Sequence, residues 1–186
     1  MSTTVLHSKL NVYDENAPER PLVATTDGVE IARLLAGVGV RFERWAAEIR
    51  LPANAGADAV LEAYASSVER VQADGGYGTV DVMRLAKGTS NVESIRAKFL
   101  SEHAHSEDEV RFFVEGSGAF YLHLGGKVYQ AICVCGDLIS VPAGTLHWFD
   151  MGPDPNFTAI RWFNNQEGWV PNYTGSEIAA RFPTYA

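Results

Sequence analysis

Cysteine is nearly missing from this chain. Cys133 and Cys135 are the only two in 186 residues, too few for a disulfide framework. An i,i+2 pair in an extended strand points both thiols to one face but lacks the reach for an unstrained bridge. Reduced, half-buried thiols and a cytoplasmic location are therefore expected. No run of 18 apolar residues occurs, so no membrane span is expected. The opening stretch MSTTVLHSKLNVYDENAPERP lacks the basic-then-apolar order of a secretory leader. Basic residues are also short: 15 Lys and Arg against 23 Asp and Glu give a net charge of −8. That balance argues against a nucleic-acid backbone or an anionic membrane surface as partner. It permits a small anionic substrate, because one buried Arg can set the local field.

Internal repeats, low-complexity tracts and long linkers are absent as well. What is present is a globular composition, 46% hydrophobic and 20% charged. The length suits one domain, residues 1–186, with a sizeable core. Residues 27–37 read as a helix with Asp27 as N-cap. Residues 57–74 put Val60, Leu61, Tyr64, Val68 and Val71 on one helical stripe. Residues 90–101 suggest a third helix, and Val40–Ala47 and 79–85 suggest strands. DGGYG marks a turn and not a phosphate loop, since no Lys-Ser/Thr follows it.

From residue 102 short apolar-alternating runs follow one another: VRFFVEGSG, AFYLHLGGK, VYQAICVCGD, LISVPAGT, LHWFDMGPDPN and FTAIRWF. This spacing predicts an antiparallel sandwich or barrel. Gly116 and Gly118 are expected where VRFFVEGSG turns into the next strand. The tail after Phe163 looks irregular, with one short helix near 175–182. The expected fold is mainly β with helices (α+β): a helical N-terminal part, about 1–100, packed on a β-barrel of about 101–165.

The chemistry concentrates in EHAHSEDE, residues 102–109. His103 and His105 leave the same face of an extended segment. Ser106-Glu107-Asp108 can turn the chain, and Glu109 then opens the next strand with Arg111 on its side. His147, on a later strand, can return alongside. Three imidazoles and a carboxylate suit a borderline ion such as Fe, Ni, Co, Mn or Zn. Two positions of an octahedral ion would stay open for a bidentate oxygen ligand, the arrangement that polarises an enediolate. The plain alternative for any one of these histidines is a hydrogen-bonded strand-end residue.

His103-x-His105-x3-Glu109-x6-Gly116 resembles the first cupin motif with Ala97 in place of its opening glycine. Gly136-x5-Pro142-x-Gly144-x2-His147 resembles the second, with Met151 in place of its closing asparagine. The resemblance implies a jelly-roll-like double-stranded β-helix. KFLSEHAHSEDEVRFFVEGSG, DLISVPAGTLHWFDMG and PNFTAIRWFNNQEGW narrow it further. They closely resemble the acireductone dioxygenases of bacterial methionine salvage, as does GVRFERWAA upstream. The first 25 residues add nothing to this.

That resemblance implies cleavage of acireductone, 1,2-dihydroxy-3-keto-5-methylthiopentene, by dioxygen. With Fe(II) the products would be the 2-oxo acid precursor of methionine and formate. With Ni(II) or Co(II) they would be methylthiopropionate, formate and carbon monoxide; Mn(II) also suits the ligands. It implies His103, His105, Glu109 and His147 as metal ligands and Arg111 as the residue that helps form the substrate dianion. Phe99 and Phe149 would wall the substrate, with Arg161 facing the cavity or bridging charges. Glu102 and Asp108 would serve metal incorporation or conformational relay, or be solvated loop, and Glu107 reads only as turn surface. A monomer with small-molecule partners is expected. The rival classes are another metal-dependent cupin enzyme, such as an isomerase or oxalate-type lyase, and a non-catalytic ligand-binding cupin.

Overall fold

The computed structural model describes residues 6–186. Residues 1–5, the start of the stretch read for a leader, lie outside the described residues. The chain runs β1 (Lys9–Asp14), β2 (Val23–Thr25), α1 (Gly28–Ala36), β3 (Arg41–Arg44), α2 (Ala57–Ala63), α3 (Ala65–Gly75), β4 (Thr79–Leu85) and α4 (Val92–Leu100). It continues with β5 (His103–Ala104), β6 (Glu109–Leu124), β7 (Lys127–Val134), β8 (Asp137–Val141), β9 (Leu146–Asp150), β10 (Phe157–Phe163) and β11 (Asn172–Tyr173). Short 3-10 helices cover Gln166–Trp169 and Ile178–Arg181.

One strand organises the rest. The 16 residues of β6 belong to two antiparallel layers. Its first part pairs with β8 and β10, giving the order β4-β10-β6-β8-β3. Its second part pairs with β7 and β9, giving β11-β5-β9-β6-β7-β1-β2. The expected turn at Gly116–Gly118 is therefore not there: the strand bends and continues. Gly116 adopts φ +66°, and a Cβ there would collide with the Asn156 carbonyl. Only glycine takes that conformation at that approach without strain.

The mainly β architecture with helices is as expected, but the first hundred residues hold four α-helices rather than three and are not simply helical. β1 and β2 extend one layer, and β3 and β4 lie in the other. The helix expected over 57–74 breaks at Tyr64 (φ −112°, ψ 26°) into α2 and α3. Val60, Tyr64, Val68 and Val71 still form one buried stripe, against Phe112, Leu138, Ile160 and Trp162 on the outer face of the second layer. α1 starts at Asp27, whose carboxylate accepts from the Val29 and Glu30 amides. The barrel interior is apolar, with Leu10, Val12, Phe113, Phe120, Leu122, Phe149 and Phe157 in one cluster. The tail covers the outside of the first layer, where Ile178 and Phe182 pack with Tyr13, Tyr121 and Trp148. Its expected helix is the single 3-10 turn Ile178–Arg181. Cys133 is buried and Cys135 exposed; both are free thiols.

α4 carries no fully buried side chain, so packing alone does not hold it. Arg96 does: its guanidinium makes two bonds, 2.7 and 2.9 Å, to the buried Asp150 carboxylate at the end of β9. The Tyr185 amide donates to the same carboxylate. This clamp sets α4 over the mouth of the barrel, beside the strand that bears His147.

Candidate metal centre

Strand parity places the site. His103 stands directly opposite His147 in the β5–β9 register, and His147 opposite Leu122 on β6. Side chains paired in this way share a face, here the inner one. His105 leaves β5 on the same side. One ligand-capable atom from each of His103, His105 and His147 lies within 4.8 Å of the others. Little of any ring reaches solvent.

Each imidazole is oriented from behind by a backbone carbonyl. His103 Nδ1 meets the Ser101 oxygen at 2.7 Å, His147 Nδ1 the Thr145 oxygen at 2.8 Å, and His105 Nδ1 the Val170 oxygen at 3.3 Å. A carbonyl can only accept, so the proton sits on Nδ1 and the Nε2 lone pair faces the centre. Burial first, then the neighbouring His147, pushes the His103 pKa down to about 4. Burial lowers that of His105 too. Neutral imidazoles with converging lone pairs are the form that binds a metal.

Glu109 opens β6 beside this trio. Its Oε2 lies 3.0 Å from His147 Nε2 and 3.4 Å from His105 Nε2. With the proton held on Nδ1, the His147 contact brings two acceptors together. A cation between them relieves the repulsion, so the donor set fits a divalent ion. Burial, the largest single influence, opposes ionisation of Glu109, but the adjacent Arg111 guanidinium together with His147 and His105 outweighs it and keeps the carboxyl well below the usual range. Arg111 is buried, and its Nε and Nη1 have no hydrogen-bond partner. Its guanidinium lies over the Phe149 and Phe120 rings, at 4.8 and 5.1 Å from their centroids. Phe149 meets Phe99 of α4 edge-on at 6.3 Å. Gly118 makes room for this arrangement, because a Cβ there would strike the Phe149 ring.

Arg161 pairs with Arg111 across β10 and β6 and with Asp81 across β10 and β4. Its guanidinium is taken by Asp81, with bonds of 2.9 and 2.6 Å. The acidic run divides by face. Glu102 is not solvated loop: it is buried behind β5, accepting from His123 Nδ1 at 2.7 Å and Thr174 Oγ1 at 2.9 Å. Asp108 is half-buried and accepts from the Ala143 amide. Glu107 is not free turn surface, since it accepts from the Asn164 and Asn165 amides and ties the segment after β10 to the ligand hairpin.

Sequence reasoning missed the orienting carbonyls, which carry no side-chain signal. It also missed Tyr173, directly opposite His103 in the β11–β5 register, with ring centroids 5.7 Å apart. The Tyr173 hydroxyl donates to the Lys98 carbonyl of α4 at 2.8 Å. Among the described residues no helix is long and apolar enough to cross a membrane.

The sequence model of the family described as ARD/ARD' matches residues 9–171. The acireductone dioxygenase of a Synechococcus strain is 56% identical over 175 residues, covering 94% of this chain and 97% of that protein. That of Pseudomonas aeruginosa is 55% identical over 176 residues, covering 95% and 97%. The solved acireductone dioxygenase from Bacillus anthracis, with a cadmium ion in its active center, superimposes with TM-score 0.77 at 29% identity. It covers 91% of this chain and 100% of that one.

Proposed function

We propose how the site works from the premise that this chain belongs to the ARD/ARD' family, the acireductone dioxygenases. It is a metal-dependent enzyme with a metal site at His103, His105 and His147. Glu109 is the fourth ligand in this reading. The single observation that carries it is the convergence of three carbonyl-fixed imidazoles on a buried carboxylate paired with Arg111.

Fe(II), Ni(II) or Co(II) held by His103, His105, Glu109 and His147 would supply Lewis acidity and electron transfer toward an enediolate and dioxygen. The chain does the rest. Arg111 pairs with Glu109 through one nitrogen and offers Nε and Nη1 to the substrate oxygens as the enediol loses its protons. Phe149 and Phe99 exclude water from the alkylthio side of the substrate. Arg161 lies beside Arg111 with its charge matched by Asp81, and this ion pair bounds that side of the site. Glu102 and Asp108 support the ligand segment from outside the site. The Fe(II) form gives 4-methylthio-2-oxobutanoate and formate. The Ni(II) or Co(II) form gives 3-(methylthio)propanoate, formate and carbon monoxide. One domain acting as a monomer suffices, because every named group lies on this chain.

The test is to strip the protein, reload it with Fe(II) or Ni(II), and follow acireductone and oxygen consumption with product analysis. Both forms are expected to exceed the uncatalysed background, and only the Ni(II) form to release carbon monoxide. Background rates from both forms would overturn the activity. Identical products from both would overturn the metal dependence of the outcome alone.

A further inference from the structure

A second cluster, with Glu102 buried and His123 half-buried, sits behind the metal strand, on the outer face of the first layer. His123 on β6 lies between two carboxylates. Its Nδ1 is 2.7 Å from Glu102 Oε2, and its Nε2 is 2.8 Å from Glu15 Oε2, just past the end of β1. Both neighbours only accept, so both ring nitrogens donate. Burial works against the charged ring, but the bonds to Glu15 and Glu102 prevail and its pKa is raised. The other Glu102 oxygen accepts from Thr174 Oγ1, while the Thr174 amide donates to the Glu102 carbonyl. Arg181 of the tail donates to the Glu15 carbonyl at 2.9 Å.

The placement of this cluster matters because β5 is short. Two residues give a strand little grip of its own: it pairs with β9 through one residue and with β11 through two. Glu102 is the residue just before it. Fixing the Glu102 side chain on the outer face fixes the rotation of β5 about its axis, and so the direction of His103 on the inner face. We propose that His123 is a positioning residue for the metal centre. Braced by Glu15 and acting through Glu102, it holds His103 and His105 at the angle from which they meet His147. The proposal rests on the three-histidine site and not on which metal or product set operates.

The test is the affinity of the metal-free chain for Co(II) alone, by competition with a chromophoric chelator, read beside the apo melting temperature. His123→Phe removes both donors. It should weaken Co(II) binding about tenfold, the scale of groups that orient ligands from outside. Glu15→Gln and Thr174→Val should weaken it less, in the same direction, with near-normal melting. Wild-type affinity in His123→Phe, whatever its melting temperature, overturns the proposal and leaves a merely structural cluster. Should His123→Phe not fold, unchanged affinity in both milder variants overturns it equally. A wild-type chain that fails to bind Co(II) overturns the metal site itself along with this proposal, which separates the two failures.

Discussion

His103 and His147 form a directly opposed antiparallel pair, with ring centroids 4.5 Å apart. Their chain positions are far apart, so the register of β5 against β9 alone brings them together. His147→Ala removes one imidazole and the partner of the other. Metal affinity is expected to fall at least about a hundredfold, beyond what loss of an orienting group does. Metal analysis after dialysis checks this; a full complement of metal in the variant would remove His147 from the site.

Arg111 and Glu109 neutralise each other in a buried place. Arg111→Ala leaves an unpaired buried carboxylate, a loss of about 3–5 kcal/mol in the metal-free chain. A bound cation compensates, so the metal-loaded variant should melt near wild type while the stripped one melts far lower. Turnover should fall roughly 10²- to 10³-fold with metal retained. Wild-type turnover in the loaded variant would end the role assigned to Arg111.

Gly118 lets the Phe149 ring lie against the β6 backbone. Gly118→Ala should push that ring toward the space between Arg111 and Phe99. The expected cost is about 1–3 kcal/mol of stability, with KM raised more than metal affinity is changed. Thermal melting and steady-state kinetics read the two effects separately. An unchanged KM would show that Phe149 does not bound the substrate.

The metal-free chain should also lose stability in mild acid. His103 titrates near 6.5 when unfolded and is pushed down to about 4 when folded. Between those values the unfolded chain binds the extra proton. The contribution is therefore whole above pH 6.5 and is lost as pH falls toward 4, roughly 3 kcal/mol in all. Denaturant titrations of wild type and His103→Gln across that range test it. Parallel curves would show that His103 is not the group responsible.

Much of this site was legible because parity in strands is a strict rule. HAH, a turn, then E-x-R puts the side chains on one face by alternation alone, and the glycine and proline spacings locate the strand bearing His147. β1 was not legible. Its residues are buried on both faces, Leu10 and Val12 in the barrel and Tyr13 under the tail, so the alternation that reveals a strand is erased. The bend at Gly116 was read as a turn because glycine serves both. Glu107 and Glu102 looked alike in sequence. They differ because one meets the amides after β10 and the other faces His123, contacts made by segments more than 20 residues away. The break at Tyr64 was invisible because the apolar stripe runs through it unchanged.

The shortness of β5 also has a kinetic consequence. Two residues cannot nucleate a strand, so β5 forms only once β9 is in place to receive it, and β11, whose one strand partner is β5, follows. β6, β7, β8 and β9 follow one another with short connections and can associate early. The binding site is then among the last parts of the molecule to appear during folding. On that order of events a metal would meet a nearly finished barrel and lock it.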